Sequence, residues 1–341
     1  MTKIFSLFVS LFFAHGVVAA PMFGFESFSI QHKELGKIQF HVSAKNMNDS
    51  KPVLLYLDGS GSYPLFMYMQ QGHGSTVPFP IDSLSNHYHF VVISKPGVPF
   101  ADSVEMDTVM GFPIYPEPQE YTKRLSLDWR VNAALQVIAS CKKQLKVKDG
   151  KFALIGISEG AQVAPKVAAL SKDVKALITL GGNAVNQFYD FTCEKRLLAE
   201  KGEISYDEAE REIDSLYAVF ADIFAHPTST DKFWYGHTYL RWASFCNEDP
   251  LSHYMNVNVP IYVAEGSADK NSQVVNIDLL RHAFVRAGKS NLTMRIYPGM
   301  DHFFRRSEQE GQPPISHYDE VIHDALTWLA RELQLSVKTN P

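Results

Sequence analysis

The sequence is poor in cysteine, with Cys141, Cys193 and Cys246 the only three in 341 residues. That excludes a disulfide scaffold, and no Cys/His cluster has zinc-ligand spacing, so no metal site is expected. In an oxidising compartment one pair can close and leave one thiol free. Cys193 and Cys246 share one segment and are the expected pair, while Cys141 sits on the apolar face of a predicted helix as a small core residue. Positive charge is not in excess either: 32 Lys and Arg stand against 37 Asp and Glu, a net charge of −5. With no polybasic run and no nucleic-acid-binding signature, neither nucleic acid nor an anionic membrane surface is an expected partner. No internal repeat and no low-complexity segment is present. Long apolar runs are also missing beyond the N-terminus, so no stable membrane span is expected once that segment is removed.

The N-terminus itself reads as a secretory signal over residues 1–20. Lys3 gives a minimal positive start, Ile4 to Ala14 is an apolar run too short to cross a bilayer comfortably, and Val17-Val18-Ala19-Ala20 offers small residues for cleavage after Ala19 or Ala20. An exported chain, periplasmic or secreted, is therefore expected.

What is present is an alternation of short apolar strands with amphipathic helices, the pattern of an α/β protein with a mainly parallel, twisted sheet and helices on both faces. Residues 25–44 read as a leading hairpin. Buried strands are expected at 53–57, 90–94, 152–157, 176–180, 261–264 and 292–297, since near-continuous apolar runs belong to strands covered on both faces. Leu127, Val131, Ala134, Leu135, Ile138 and Leu145 share one helix face, as do Tyr318, Val321, Ile322, Ala325, Leu329 and Leu333. Two stretches interrupt the pattern. Residues 95–123, rich in Pro, Gly and acids, read as a long surface excursion. Residues 184–258 exceed what one crossover needs and read as a helical cap inserted into a core of 21–183 and 259–341. The cap holds an amphipathic helix, with Ala209, Ile213, Leu216, Tyr217, Phe220, Ile223 and Phe224 on one face, and an aromatic run through Phe233, Trp234, Tyr235, Tyr239, Trp242 and Phe245.

The chemistry centres on Gly156-Ile157-Ser158-Glu159-Gly160, which begins as one apolar strand ends and opens an Ala-rich helix. A strand–turn–helix of this kind presses a serine out at the sheet edge, and its two glycines relieve clashes in a turn too tight for side chains. Pro165 is expected to kink the helix that follows. A serine hydroxyl needs a base to take its proton. Two later strands run into the loops that would supply it: Glu265-Gly266-Ser267-Ala268-Asp269, and Tyr297-Pro298-Gly299-Met300-Asp301-His302. The order Ser158, Asp269, His302 is that of a nucleophile, an orienting acid and a general base. Glu265 and Asp249 are alternative acids, whereas Asp301 reads as a turn residue. An oxyanion hole needs two donors: the Glu159 N–H, and one from Asp58-Gly59-Ser60-Gly61, with Ser60 first and Gly61 next. The Glu159 carboxylate suits the first turn of a helix without a catalytic role. Gly59, Gly61, Trp234, Tyr235 and Trp242 are candidate substrate contacts, as are Phe188 and Tyr189, although most cap aromatics suit the cap's own core better. His73 and His237 read as structural.

In these features the sequence resembles the α/β-hydrolase superfamily over residues 50–335, and is similar to prolyl-oligopeptidase-like and dienelactone-hydrolase-like members. The resemblance implies that fold and a serine esterase, acyl-peptidase or acyltransferase chemistry. Asp58-Gly59 departs from the His-Gly often found at that position, and a serine at 158 argues against dehalogenase and epoxide-hydrolase branches. No propeller repeat accompanies the catalytic pattern. The expected function is hydrolysis of a carboxylic ester of a small-molecule acyl substrate, with no cofactor. A peptidase of short peptides and a binding protein that kept the fold but lost turnover are the alternatives.

Overall fold

The computed structural model describes residues 22–70, 72–107, 113–309 and 311–335, and the leader expected over residues 1–20 lies outside them. Eight strands form the central sheet: β1 (Phe25–His32), β2 (Gly36–Ser43), β3 (Lys51–Leu57), β4 (His89–Ile93), β5 (Val147–Ile157), β6 (Val174–Leu180), β7 (Ile261–Gly266) and β8 (Leu292–Tyr297). Their spatial order is β1-β2-β4-β3-β5-β6-β7-β8. β1 and β2 pair antiparallel as a hairpin, β2 is antiparallel to β4, and each pair from β4 to β8 is parallel. In β5 the side chains alternate between two buried cores: Phe152 and Leu154 on one face, Ala153 and Ile155 on the other.

The first face is covered by α1 (Leu127–Gln144) and α2 (Glu159–Leu170). Ser126 starts α1, its hydroxyl accepting from the Trp129 N–H at 3.1 Å. α2 continues through Pro165 as a helix to Leu170. Residues 95–123 are more firmly held than an open excursion: Val98, Tyr121 and Leu125 form a small buried cluster, and Ala101–Ser103 pairs parallel to Phe66–Met69. Those short strands, with Gly72–Ser75, form a side sheet that the apolar pattern did not announce.

Between β6 and β7 come α3 (Gln187–Glu200), α4 (Tyr206–Ala225), a hairpin of Phe233–Trp234 and His237–Thr238, α5 (Tyr239–Cys246) and α6 (Pro250–Asn256). α6 and the following α7 (Val274–Arg286) complete the first face, while α8 (Tyr318–Glu332) packs on the opposite one through Val321, Ala325 and Leu329. The helices between β6 and β7 carry their own core of Phe188, Phe220, Ile223, Tyr239 and Trp242, with Phe188 stacked on Phe220 at 4.0 Å. Tyr217 and Phe224, placed by periodicity on the apolar face of α4, are exposed at its margin.

All three cysteines are free thiols, so Cys193 and Cys246, the pair favoured should one close, are not bridged. The two face different surroundings. Cys246 is buried in the aromatic cluster with Phe188 and Trp242, whereas Cys193 lies beside Asp190 and Asn276. Among the described residues no helix is long and apolar enough to cross a membrane.

α2 starts almost in contact with the sheet. A Cβ on Gly160 would stand 1.9 Å from the Leu57 carbonyl oxygen, and one on Gly156 would stand 2.2 Å from the Gly160 oxygen. Both obstacles are backbone atoms, so neither can rotate aside. Gly160→Ala should lose about 3 kcal/mol or more in urea denaturation. A midpoint equal to that of the parent would contradict this packing.

Candidate active site

Ser158 occupies the turn between β5 and α2 with φ 53° and ψ −118°, a conformation that costs a residue bearing a Cβ of order 1–3 kcal/mol. Hydrogen bonds on both sides hold it there: the Ser158 N–H donates to the Leu180 carbonyl at 2.9 Å, and the Ala161 N–H donates to the Ser158 carbonyl at 2.8 Å. The strain lifts the hydroxyl above the C-terminal edge of the sheet.

The loops after β7 and β8 converge on it because they are bonded to each other. The Ser267 N–H donates to the Tyr297 carbonyl and the Ala268 N–H to the Met300 carbonyl. A Cβ on Gly266 would stand 2.3 Å from the Met300 oxygen, so only glycine permits this approach. Asp269 is thereby set against His302, with Oδ2 2.6 Å from Nδ1, and His302 Nε2 lies 3.0 Å from Ser158 Oγ. With the Nδ1 proton donated to Asp269, Nε2 is left as acceptor for the serine hydroxyl. The Asp269 Oδ1 accepts from the Asn271 and Ser272 N–H groups at 2.7 and 2.9 Å. Burial works to raise the Asp269 carboxyl, but the hydrogen bond and charge of His302 and the local donors outweigh it and hold the group below its usual value.

His302 bonds to none of the alternative acids. Asp249 caps the region around Asn186, and Asp301 accepts from the Phe303 and Arg305 N–H groups as a turn residue. Glu265 is fully buried beside Asp269. Burial first, then the Asp269 charge, push its carboxyl well above the usual range, so it stands beside Asp269 as a neutral group rather than a competing anion.

A cavity of about 240 Å³ opens over Ser158 and His302, with Ser60, Tyr235, His237 and Trp242 in its wall. Gly59 runs directly behind the serine, where an added Cβ would lie 3.4 Å from the Ser158 Cβ. Gly61, at φ +92°, and Trp234 do not reach the cavity, and the Trp234 carbonyl instead accepts from the Trp242 indole at 2.7 Å. Phe188 is core, Tyr189 is exposed, and His73 packs against Phe23 and Tyr68 away from the cavity. Burial pushes His237 down to about 4, which keeps its imidazole neutral. The remaining wall is dominated by Gln162, Asn183, Gln187, Asp190 and Asn271, a more polar lining than the cap aromatics suggested.

Sequence reasoning missed the charged layer underneath. Arg130 on α1 donates to the Asp58 carboxylate and to the Glu159 carboxylate, both at 2.6 Å, and to the Asp58 carbonyl at 2.9 Å. Arg241 on α5 grips the other Glu159 oxygen at 2.7 Å and the Gln187 amide oxygen at 2.7 Å. Lys95 lies 2.8 Å from Asp58 Oδ2. Glu159 is 0% exposed, and although burial opposes its charge, Arg241, Arg130 and Lys95 hold it down to about 2. A signal did exist: Arg130 falls on the same helix face as Leu127, Val131 and Ala134, where a charge demands a partner. Among the described residues no three His, Cys, Asp or Glu side chains are grouped to hold a metal ion.

Solved structures share this arrangement of elements. An acylaminoacyl peptidase of Pyrococcus horikoshii superposes with a TM-score of 0.56 at 13% identity, covering 93% of this chain and 43% of its own. An esterase of Pyrococcus furiosus gives 0.52 at 11% identity, covering 91% of this chain and 90% of its own. A puromycin-hydrolyzing peptidase of Mycobacterium tuberculosis gives 0.56 at 14%, covering 92% and 40%. This chain has the α/β-hydrolase fold. It spans less than half the length of the two peptidases. No protein-family model and no curated relative matches the sequence, so the likeness is one of structure.

One group in this fold should leave a signature in stability. Asp190 on α3 is buried at the cavity wall, accepting from the Asn183 and Asn276 amides. Burial, with the Asp269 charge adding to it, raises this carboxyl to about 8. An unfolded aspartate ionises near pH 4. Between about 4 and 8 the folded chain therefore holds a proton that the unfolded chain lacks, and this group's contribution to stability falls as pH rises through that window. Asp190→Asn keeps both accepted hydrogen bonds and removes the titration. Its stability relative to the parent should rise between pH 5 and pH 8 in urea denaturation, and an unchanged difference would contradict the buried proton.

Proposed function

We propose that this chain is a serine hydrolase cleaving a carboxylic ester through an acyl-enzyme on Ser158. The observation that supports this most is the hydrogen-bonded chain Asp269–His302–Ser158 at a strained turn facing a cavity. In this reading His302 Nε2 takes the Ser158 proton as the oxygen attacks the acyl carbon. Asp269 holds the tautomer and stabilises the imidazolium that forms. The Glu159 and Ser60 N–H groups receive the oxyanion, each donor worth about 3–4 kcal/mol in the transition state. His302 then returns the proton to the leaving oxygen, and a water attacks the acyl-enzyme by the same route in reverse. No cofactor enters these steps. Residues 1–20 are proposed as a leader, which places the reaction outside the cytoplasm.

A cavity of about 240 Å³ lies below the usual range for drug-sized ligands, so a short acyl group suits it better than a long chain. Cleavage of short acylated peptides is the second reading. The polar wall favours it, as do the names of two structural neighbours, an acylaminoacyl peptidase and a puromycin-hydrolyzing peptidase.

Steady-state kinetics on p-nitrophenyl esters of increasing acyl length, beside N-acyl-aminoacyl p-nitroanilides, test both. Acetyl to butyryl esters should be turned over faster than octanoyl. Ser158→Ala should lose on the order of 10⁵–10⁶-fold in kcat. Preference for the anilides would move the peptidase reading forward, and equal turnover by parent and Ser158→Ala would remove Ser158 as nucleophile.

A further inference from the structure

The loop Asp58–Gly61 was expected to supply an oxyanion donor, and the residue that shapes it comes from elsewhere in the chain. Lys95 follows β4 and is 5% exposed. Its Nζ donates to the Gly59 carbonyl at 2.6 Å and the Gly61 carbonyl at 2.7 Å, and lies 2.8 Å from Asp58 Oδ2. Three acceptors match the three N–H bonds of an ammonium, so the group is fully used as a charged donor.

Those bonds have a geometric consequence. In a planar trans peptide the C=O of one residue and the N–H of the next point in opposite directions. No peptide bond among the described residues is cis. With the Gly59 carbonyl turned onto Lys95, the Ser60 N–H is turned away from it. Ser60 lines the cavity with Ser158 and His302, and Gly59 runs behind Ser158. The same reasoning fixes Gly59 through the Asp58 carbonyl, which accepts from Arg130. Arg130 also holds the side chain of Glu159, whose N–H is the other proposed donor.

We propose that Lys95 is the positioning residue of the oxyanion site: by holding the Gly59 and Gly61 carbonyls it aims the Ser60 N–H at the point where negative charge develops above Ser158. This rests on the serine-hydrolase reading. Asp58, which stands where related folds often carry His, is then the counter-ion that keeps Lys95 and Arg130 in place beneath the loop. Lys95 itself touches no substrate.

The test compares the full-length parent with Lys95→Met and Lys95→Gln. Three quantities are measured: kcat and KM on the best ester, affinity for a trifluoromethyl ketone that adds to the serine as an oxyanion, and affinity for an uncharged amide of the same acyl group. Thermal melts report folding. Lys95→Met should lose about 10²–10³-fold in kcat, the range for one oxyanion donor, with KM within about twofold. Ketone affinity should fall in parallel while amide binding holds, and Lys95→Gln, which keeps two N–H donors, should recover part of the loss. If Lys95→Met does not fold, Lys95→Gln is read alone and must show the ketone affinity falling while amide binding holds. A folded Lys95→Met with parental kcat, or with unchanged ketone affinity, overturns the role of Lys95. A parent that forms no ketone adduct overturns the hydrolase reading and this proposal with it.

Discussion

The Arg130 guanidinium bridges the carboxylates of Asp58 and Glu159, and through them the two loops that meet at Ser158. Asp58 follows β3 and begins the loop behind the serine, while Glu159 directly follows the serine and begins α2. Arg241 extends the bridge to α5, so the helices between β6 and β7 are fastened to the same carboxylate. All these groups are nearly or fully buried. Removing one partner of such a set strands an unpaired charge and typically costs about 3–5 kcal/mol, whereas the intact set contributes little net stability. Its consequence is geometric: it ties the start of the Asp58 loop to the residue that directly follows Ser158.

A second constraint acts at the sheet. Gly156, Gly160 and Gly266 each occupy space where a Cβ would collide with backbone, so β5, α2 and the β7 and β8 loops approach more closely than ordinary side chains allow. Close approach and buried charge together keep Ser158 in a strained backbone conformation. Further costs come from two carboxyls kept neutral by burial, Asp190 at the cavity wall and Glu265 beside Asp269. Stability is given up around the site, as is common where a fixed geometry matters more than packing.

Much of this was legible in the sequence, for identifiable reasons. Strands buried on both faces appear as apolar runs, and the structure places them within about two residues of the expected spans, except that β5 begins at Val147 rather than Phe152. Ser158, Asp269 and His302 were findable because each follows such a run in a glycine-bearing loop, so order and position narrowed the choice. The charged layer was not, because a sequence does not reveal which lysine or arginine is buried. Lys95 reads as a surface residue before a Pro-Gly turn, and only the stripe position of Arg130 hinted otherwise. The aromatics misled in part: Trp234 and Trp242 pack on each other, on Phe188 and on Phe191, only Trp242 of the two lines the cavity, and Tyr235 reaches it from an exposed hairpin tip. Cys193 and Cys246, both between β6 and β7, face different neighbours, which spacing does not disclose.

The central claim is that Ser158 is the group that attacks the acyl carbon. Mapping of the covalent adduct formed with a fluorophosphonate addresses it most directly, because cleavage after Lys151 and Lys166 releases Phe152–Lys166, a peptide in which Ser158 is the only hydroxyl-bearing residue. The account predicts the added mass on that peptide at one per chain, absent when His302 is replaced by alanine. Adduct on any other peptide, or none on a folded protein, would contradict it.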